Sequence, residues 1–419
     1  MSLIGVVVLL LLAVALSSNR RAIRVRTVAG AFVLQAGFAL FVLYVPWGQQ
    51  ALGSVSASVA CLQDYAKQGI DFLFGGLSSA QMFQVFGNGG FVFAIRVLPL
   101  IVFFSAFIAV LYHLGIMALV IRLLGGALQR LLGTSRTESM SATANIFVGQ
   151  TEAPMVIRPF LARMTHSELF AVMVGGLASV AGSVLIGYAS LGVDLKYLIA
   201  ASFMAAPGGL LMAKLMEPET ERPLDVPDHI RVGVDEKPAN IIDAAALGAS
   251  SGLQLALNVG AMLLVFIALI ALINGLLGWA GGLLGYPQLS LQLLLGYLFA
   301  PLAFVLGVPW AEAVTAGGFI GQKLVLNEFV AYVDFAAYLD PQRAAEAGLP
   351  LLSERTRVIV TFALCGFANL SSIGILLGGL GVMAPARRPD IARLGLKAVA
   401  AGTLSNLMSA ALAGLFVTL

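Results

Sequence analysis

The sequence predicts an all-α polytopic membrane protein with eight transmembrane helices, two re-entrant hairpins in an inverted repeat, and one interfacial helix. The chain is 59% hydrophobic and only 11% charged, whereas a soluble domain carries about 25% charged residues. Its charges are clustered, and the stretches between them are long enough to cross a bilayer. Two further apolar segments are interrupted by polar residues. A water-soluble globular protein is therefore excluded.

Eight charge-poor stretches are predicted to span the membrane, because about 20 apolar residues cross a bilayer. They lie near residues 3–16, 28–46, 91–112, 168–191, 196–215, 252–284, 357–381 and 396–417. The first stretch has no basic residue before it, and its nearest positive charges, Arg20 and Arg21, follow it. We therefore interpret it as a retained helix and not as a secretory signal.

The distribution of basic residues predicts the orientation. With the N-terminus outside, 17 of the 24 Lys and Arg residues lie on the cytoplasmic side and 7, including Lys323, lie outside. The inverse orientation reverses this ratio. Since cytoplasmic loops are enriched in Lys and Arg, we predict that both termini lie outside.

Composition also divides the chain. Residues 217–243 hold 11 of the charged residues and four prolines, which is typical of a soluble loop, and the semi-polar residues 54–86 favour a helix lying in the interface. The predicted divisions are 1–112, mainly scaffold spans one to three with the interfacial helix; 113–216, the first transport half; 217–251, a charged cytoplasmic linker; 252–288, scaffold span six; and 289–419, the second transport half.

Residues 118–163 and 289–337 are predicted to form re-entrant hairpins. Each is long enough to enter the membrane and return, with polar residues where the turn would lie. Irregular backbone at this depth is tolerated only when it is buried in protein or lines a cavity. Residues 147–150 (FVGQ) match 319–322 (FIGQ), and 176–179 (GLAS) match 366–369 (GFAN). The hairpins open to opposite sides, so the matches predict an inverted repeat, which is typical of secondary transporters.

Two carboxylates, Glu152 and Glu328, lie in these hairpins. A carboxylate at membrane depth costs at least about 2.5–3.5 kcal/mol, which favours a functional role over a structural ion pair such as Glu152 with Arg158. Both belong to polar clusters that suit a polyhydroxylated or amide-bearing ligand. Phe367, beside Asn369 in the second broken stretch, adds an aromatic face. This composition indicates a site for a base plus a sugar.

Neutral oxygens predict a cation site in the first half. Ser179, Asn145 and the carbonyl of Val148 offer oxygen without sulfur or imidazole. Such ligands suit an alkali or alkaline-earth cation, and the scarcity of carboxylates favours a monovalent ion. The three histidines are isolated, and Cys61 and Cys365 lie far apart. The sequence thus indicates neither a zinc site nor a disulfide framework.

Three motifs resemble those of the concentrative nucleoside transporters, in their short bacterial form. They are residues 145–154 (NIFVGQTEAP), 327–332 (NEFVAY) and 365–373 (CGFANLSSI). The resemblance covers essentially the whole chain. It implies a sodium-coupled symporter for nucleosides such as uridine, cytidine and adenosine, in the bacterial inner membrane. It also implies a homotrimer in contact with membrane lipid, and an elevator movement against the trimeric scaffold.

The resemblance further implies roles for individual residues. The residues facing or packing on the nucleobase are Gln150, Thr151, Glu152, Val184, Leu255 and Phe367. Those holding the ribose hydroxyls are Glu328, Asn369 and Ser372. Those holding the sodium ion, the one expected cofactor, are Asn145, Val148, Ser179 and Val180. No catalytic residue is implied.

Three alternatives remain at the level of sequence. The same fold could couple to protons through Glu152 or Glu328. An intramembrane enzyme could use the two carboxylates as acid and base, although no metal-ligand set accompanies them. A channel is disfavoured, because a site rich in ligand-shaped polar groups holds its solute too tightly for rapid conduction. With a net charge of +3 and no basic–aromatic runs, nucleic acid is not an expected partner.

Overall fold

The computed structural model describes residues 1–79, 81–86, 90–223, 238–340, 344–345 and 348–417, and within them the chain forms helices joined by turns. The helices of the N-terminal region are α1 Ser2–Ala15, α2 Val25–Leu43, α3 Pro46–Phe74, α4 Gln81–Phe86, α5 Phe93–Arg96 and α6 Leu98–His113. The predicted interfacial helix at 54–86 begins earlier than expected. Pro46, at the first helical position, starts α3, and Gly75, at φ +53°, ends it.

The first half of the fold combines long helices with two short arms. Its helices are α7 Ile116–Leu132, α8 Arg136–Ala144, the 3₁₀ helix Ala153–Arg163, α9 His166–Ala178, α10 Gly182–Ser190 and α11 Leu195–Met216. Capping boxes at Ser135 and Thr165 start α8 and α9. The arm after the turn is a 3₁₀ helix with a proline at its start and another inside it, and proline cannot donate the amide bond that an α-helix requires.

The second half repeats this order of elements. Its helices are α12 Ile241–Leu283, α13 Leu291–Leu306, α14 Trp310–Val325, α15 Glu328–Ala336, α16 Glu354–Leu364, α17 Ser372–Met383 and α18 Arg388–Phe416. In each half, a helix (α7 or α13) precedes two short arms around a turn, then a helix broken in its middle, then a long helix. Each segment predicted as a hairpin therefore also contains the helix that precedes the two arms, α7 in the first half and α13 in the second.

Two boundaries differ from the sequence prediction. The helix predicted at 252–284 begins at Ile241, where the Asn240 side chain accepts a hydrogen bond from the amide of Asp243. The predicted linker 217–251 therefore ends in a helix, and its residues 224–237 lie outside the described residues. In addition, the two FxGQ segments occupy different places: residues 147–150 form the first turn, whereas Phe319 and Gln322 lie inside α14.

Six helical segments among the described residues are long and apolar enough to cross a membrane. They are Val25–Leu43, Phe93–His113, His166–Ser190, Leu195–Met216, Ile241–Leu283 and Pro385–Phe416. Helices α13 and α14 form a bent pair with an angle of 115° between them. The predicted span at 3–16 is a 14-residue helix, and the one at 357–381 is two short helices around a break. The eight predicted spans therefore exceed the number identified by length and composition.

Burial separates two groups of helices. The apolar windows of α9–α10 and of α11 are each 94% buried, whereas that of α12 is only 17% buried. Helix α12 packs along α6, while α1 and α2 pack against α11 and α18. The sequence grouped spans one, two, three and six as scaffold. Helix α6 also packs against α10, so both α1–α2 and α6–α12 border the buried helices, and the scaffold grouping stays a prediction.

Candidate functional site

The first turn, residues 145–152, docks on the break between α9 and α10. The amide of Gly182, which begins α10, donates a hydrogen bond of 3.0 Å to the carbonyl of Phe147. Gly176 lies so close to Gln150 that a Cβ there would approach the Gln150 side chain at 2.8 Å. Small residues at the end of α9 thus allow the turn to approach closely.

The four predicted cation ligands meet the basic requirement of burial. Asn145, Val148, Ser179 and Val180 are all buried. The amide nitrogen of Asn145 donates to the Ser141 carbonyl at 3.0 Å, and its Oδ1 accepts no hydrogen bond among the described residues. A buried acceptor without a donor fits a site for a cation. No cluster of three or more His, Cys, Asp or Glu suited to a metal occurs in the described part of the chain. Neutral oxygens of this kind suit sodium.

The three residues predicted to bind the ribose lie close together. They are positioned by the turn between α14 and α15, which we call the second turn, and by the break between α16 and α17, which we call the second break. Glu328 begins α15, after Asn327 caps the helix by accepting a hydrogen bond from the amide of Val330. The Asn369 amide donates to the Glu328 carboxylate at 3.0 Å. Asn369 Oδ1 accepts from the backbone amide of Ser372 at 2.9 Å. All three ligands are buried, and they form one hydrogen-bonded group.

Sequence reasoning missed one residue of this group, Tyr188 of α10. Its hydroxyl donates to the Glu328 carboxylate at 3.2 Å, and its ring stacks on Tyr332 at 4.4 Å between centroids. Tyr332 itself donates to the carbonyl of Thr361 at 2.8 Å. Tyr188 brings a residue of the first half to the second-half site. Nothing in its local sequence signals this role, because the contact spans 140 positions of the chain.

The residues predicted to face the nucleobase lie on four elements. Gln150 is buried, and its Oε1 accepts no hydrogen bond among the described residues. Thr151 is half-buried and packs beside Gly379 of α17. Glu152 is exposed, and its carboxylate lies back over Gly149. Unsatisfied and exposed polar groups at one turn are consistent with a polar ligand.

The apolar part of the predicted site is dispersed along the chain. Val184 is buried in α10, Phe367 is half-buried in the second break, and Leu255 is half-buried on α12. Leu255 therefore lies on the exposed pair α6–α12, whereas the other two lie on the buried helices. A ligand contacting all three would touch both groups of helices.

A separate polar cluster lies at the base of the first hairpin. We call Glu138, Glu168, Lys214 and Glu219 the basal cluster; all four are buried. Lys214 Nζ lies 2.6 Å from the Glu138 carboxylate and 3.8 Å from that of Glu219. The Thr137 hydroxyl donates to Glu168 at 3.0 Å, which ties α8 to α9. The cluster therefore anchors α8, α9 and the end of α11 together.

Comparison with known families decides the class of protein. Residues 197–414, just over half of the chain, match the family model described as Na+ dependent nucleoside transporter C-terminus. The chain belongs to this family. Residues 4–77 match the N-terminal model of the nucleoside transporters, and residues 94–194 match a model described as nucleoside recognition. The family predicted from the three motifs is confirmed.

Relatives of the transporter span its full length. An uncharacterized transporter of Haemophilus influenzae is 59% identical, over 100% of this chain and 98% of the relative. The nucleoside permease NupC of Helicobacter pylori is 55% identical, with the same coverage of 100% and 98%. Sodium/nucleoside cotransporter 1 of Mus musculus is 40% identical over 99% of this chain and 63% of the mouse protein.

Solved structures share the transporter's fold. CNTnw in an inward-facing substrate-bound state superposes with a TM-score of 0.95 at 61% identity, covering 100% of this chain and 97% of that one. A CNTnw variant in an outward-facing state gives a TM-score of 0.96 at 60% identity, covering 100% and 98%. The protein is thus a multi-pass membrane transporter, and the intramembrane enzyme is excluded.

Proposed function

We propose that the protein is a sodium-coupled symporter that imports nucleosides of the uridine, cytidine and adenosine type across the inner membrane. The observation that carries the proposal is the pairing of two different buried polar groups. One is a set of neutral oxygens around Asn145, and the other is a hydrogen-bonded carboxylate, Glu328. Family membership supports the solute class, and the unsatisfied Oδ1 of Asn145 supports a cation.

Glu328, Asn369 and Ser372 hold the ribose. A carboxylate accepts hydrogen bonds from sugar hydroxyls, and the amide of Asn369 can turn from carboxylate to ligand. Charge-assisted bonds of this kind contribute roughly 1.5–3 kcal/mol each. The close packing of Tyr188 against Tyr332 supports this role, because it fixes the hydroxyl that orients Glu328.

The nucleobase lies between the first turn and an apolar wall. Gln150, Thr151 and Glu152 offer donors and acceptors to the edge of the base, while Phe367, Val184 and Leu255 pack against its faces. This division follows a general pattern of small-molecule sites, in which apolar side chains supply area and a few polar groups supply orientation.

Sodium binds at Asn145, Val148, Ser179 and Val180 and moves together with the nucleoside. A tenfold ion gradient is equivalent to about 1.4 kcal/mol, and a membrane potential of 100 mV adds about 2.3 kcal/mol per charge. The sum of about 3.7 kcal/mol sustains a several-hundred-fold gradient of a neutral solute. One sodium ion per nucleoside is therefore sufficient.

Alternating access follows an elevator movement in a homotrimer embedded in lipid. Helices α1, α2, α6 and α12 form most of the scaffold, and the two hairpins, the broken helices, α11 and α18 move against it as one body. The packing of α1 and α2 on α11 and α18 is then a contact between scaffold and moving body. Solved CNTnw structures in inward-facing, outward-facing and intermediate states support a movement of this kind.

The membrane topology follows from the same proposal. Eight crossings and two re-entrant hairpins, α8 with Ala153–Arg163 and α14 with α15, form an inverted repeat with both termini outside. The common order of elements in the two halves supports the repeat. The excess of 17 basic residues over 7 supports the orientation.

Uptake into sealed vesicles tests the function. Radiolabelled uridine and adenosine are supplied to proteoliposomes with sodium outside, and sodium is replaced by choline at fixed pH. We expect concentrative uptake with sodium and none with choline. Uptake that survives in choline and follows an imposed pH gradient would establish the proton-coupled alternative, for which the buried Glu328 offers a carrier.

A further inference from the structure

One buried cation, Lys323, has no part in the contacts described above. It was placed on the outer side by the count of basic residues, but in the structure it lies in the last turn of α14 with only 1% of its surface exposed. Ionisable residues inside a membrane protein are costly and usually functional. Among the described residues, the neutral Asn406 of α18 lies at hydrogen-bonding distance from the ammonium group, 2.6 Å from Nζ to Oδ1, and the charge of Lys323 also interacts with that of Glu328.

Asn406 joins this lysine to both broken helices. Its Nδ2 donates to the carbonyl of Ala178 at 2.7 Å and to that of Cys365 at 3.0 Å. Ala178 is the last residue of α9, and Cys365 follows the last residue of α16. An asparagine amide has two hydrogens, so both are used to hold the two breaks side by side.

The residue types at this junction are constrained. A Cβ at Gly366 would overlap the Asn406 amide, and a Cβ at Gly402 would approach Leu177 at 2.9 Å and Ala368 at 3.1 Å. The lysine also fixes the direction of the amide, because an ammonium donates hydrogen bonds and cannot accept them. Oδ1 must therefore point to Lys323 and Nδ2 to the two carbonyls. Such a charge-assisted bond is stronger than a neutral one.

A continuous chain of hydrogen bonds runs beside this junction from the ion site to the ribose site. The Phe367 amide donates to the Ser179 carbonyl at 3.1 Å, and the Ser372 hydroxyl donates to the Phe367 carbonyl at 2.6 Å. Ser372 then donates through its amide to Asn369, which donates to Glu328. Ser179 and Glu328 are thus connected through four hydrogen bonds.

We propose that Lys323 and Asn406 form a brace that couples sodium binding at the first break to nucleoside binding at the second. The inference rests on the proposed function. An ion held by Ser179 and Val180 orders the first break, and the brace transmits this order to residues 365–372, where Asn369 and Ser372 meet the ribose. Lys323 is a positioning residue: it orders the breaks through Asn406, and its charge interaction with Glu328 changes the affinity for uridine equally with and without sodium. By linkage, the nucleoside raises the affinity for sodium by the same factor.

Equilibrium binding to the purified full-length protein tests the brace. The dissociation constant of uridine is measured by calorimetry in sodium and in choline, and the ratio of the two values reports the coupling. Coupling between sites commonly amounts to about 5- to 150-fold in affinity. We expect a ratio in this range for the wild type, and a ratio within about twofold of unity for Lys323→Met and for Asn406→Leu. Lys323→Gln, which keeps a donor toward Asn406, should lie between these values.

A matched control separates the brace from general stability. Gln35 is equally buried, and its amide donates to the Ser409 hydroxyl of α18 at 2.9 Å. Gln35→Met should leave the ratio unchanged, whatever it does to the melting temperature. The double variant Lys323→Met/Asn406→Leu should show the same ratio as either single variant, because the two residues act in series.

Each outcome has a defined reading. If the variants fold and lose affinity equally with and without sodium, the brace is only structural and the proposal is wrong. If the wild type itself binds uridine equally in sodium and choline, the sodium symporter is wrong. In that case the dissociation constant of uridine is measured at two pH values. The brace then predicts that the variants lose the dependence of this constant on pH. Should Lys323→Met not fold, Lys323→Gln and Asn406→Leu decide the question.

Discussion

The two halves of the transporter share an order of elements but differ in the chemistry of their turns. In the first half, the turn at 145–152 offers neutral oxygens, two of which, on Asn145 and Gln150, accept no hydrogen bond within the described residues. In the second half, the carboxylate of Glu328 already accepts hydrogen bonds from Tyr188 and Asn369. The first turn thus has acceptors without donors, whereas the carboxylate after the second turn already has two donors and retains room for more.

The distribution of charge differs in the same way. The first half concentrates its buried charges in the basal cluster, away from the turn. The second half places Lys323 in the last turn of α14 and Glu328 at the start of α15, on either side of its turn. The neutral oxygens of Asn145 and Val148 suit a bare cation, although Glu152 also belongs to the first turn, and the carboxylate of Glu328 suits hydroxyl donors. The comparison therefore supports the proposed positions of the ion at the first turn and of the sugar at the second.

The largest expected effect is on stability, at the basal cluster. Lys214→Met leaves the carboxylates of Glu138 and Glu219 buried without their cation, and breaking a buried pair costs about 3–5 kcal/mol. We expect a marked fall in the melting temperature of the purified protein. Lys397→Met is the matched control, because its pair with Glu217 is more exposed, with side-chain exposures of 26% and 12%. Equal destabilisation by both variants would show that the cluster does not anchor the hairpin.

The next effect is on ribose recognition. Glu328→Gln keeps the size of the side chain but removes its charge, so the affinity for uridine should fall roughly tenfold to a hundredfold. A 3′-deoxy analogue should lose affinity for the wild type but little more for the variant. Asp334→Asn, on the same helix and bonded to Gln292 at 3.3 Å, is the control and should change little. If the affinity losses caused by Glu328→Gln and by the 3′-deoxy analogue add up in equilibrium binding, Glu328 does not contact the sugar.

A third prediction concerns the ion. Asn145→Leu removes the unsatisfied oxygen, so the sodium concentration needed for half-maximal uptake should rise by about tenfold or more, equivalent to about 1.4 kcal/mol. Thr143→Val, which removes a hydroxyl bonded only within α8, should leave sodium dependence unchanged. Initial rates of uridine uptake across a sodium series measure both. An unchanged sodium requirement in Asn145→Leu would move the ion away from the first turn.

The smallest predicted effect crosses between the halves. Tyr188→Phe removes one donor to Glu328, and the affinity for uridine should fall by about three- to tenfold, because a single hydrogen bond is lost. Tyr332→Phe is matched in size and burial, but its hydroxyl bonds to a backbone carbonyl, so binding should be retained. The effect of Tyr188→Phe should largely vanish in a Glu328→Gln background. Its persistence there would show that Tyr188 acts independently of the carboxylate.

The sequence was sufficient for the family and for the local motifs, and insufficient for the contacts between halves. Residues 145–154 and 327–332 are contiguous, so their types alone indicated two polar turns and their ligand classes. Lys323 and Asn406 are 83 positions apart, and the position of Lys323 in an apolar helix gave no sign of its partner. Counting charges by predicted side cannot identify a lysine that never reaches either surface.

The predicted helix boundaries were wrong for a related reason. Hydropathy identified the apolar part of α12 but not its start at Ile241, because residues 241–251 are helical without being continuously apolar. The break at 365–371 and the 3₁₀ arm at 153–163 likewise depend on docking against other elements and on proline geometry.

The length of α12 has a mechanical consequence. Its 43 residues extend over about 65 Å at 1.5 Å per residue, whereas the hydrocarbon core of a bilayer is about 30 Å thick. This helix must therefore tilt steeply, project into the aqueous phase, or both. In the elevator movement that we propose, a body that slides along α12 can therefore stay in contact with this helix over the full thickness of the hydrocarbon core.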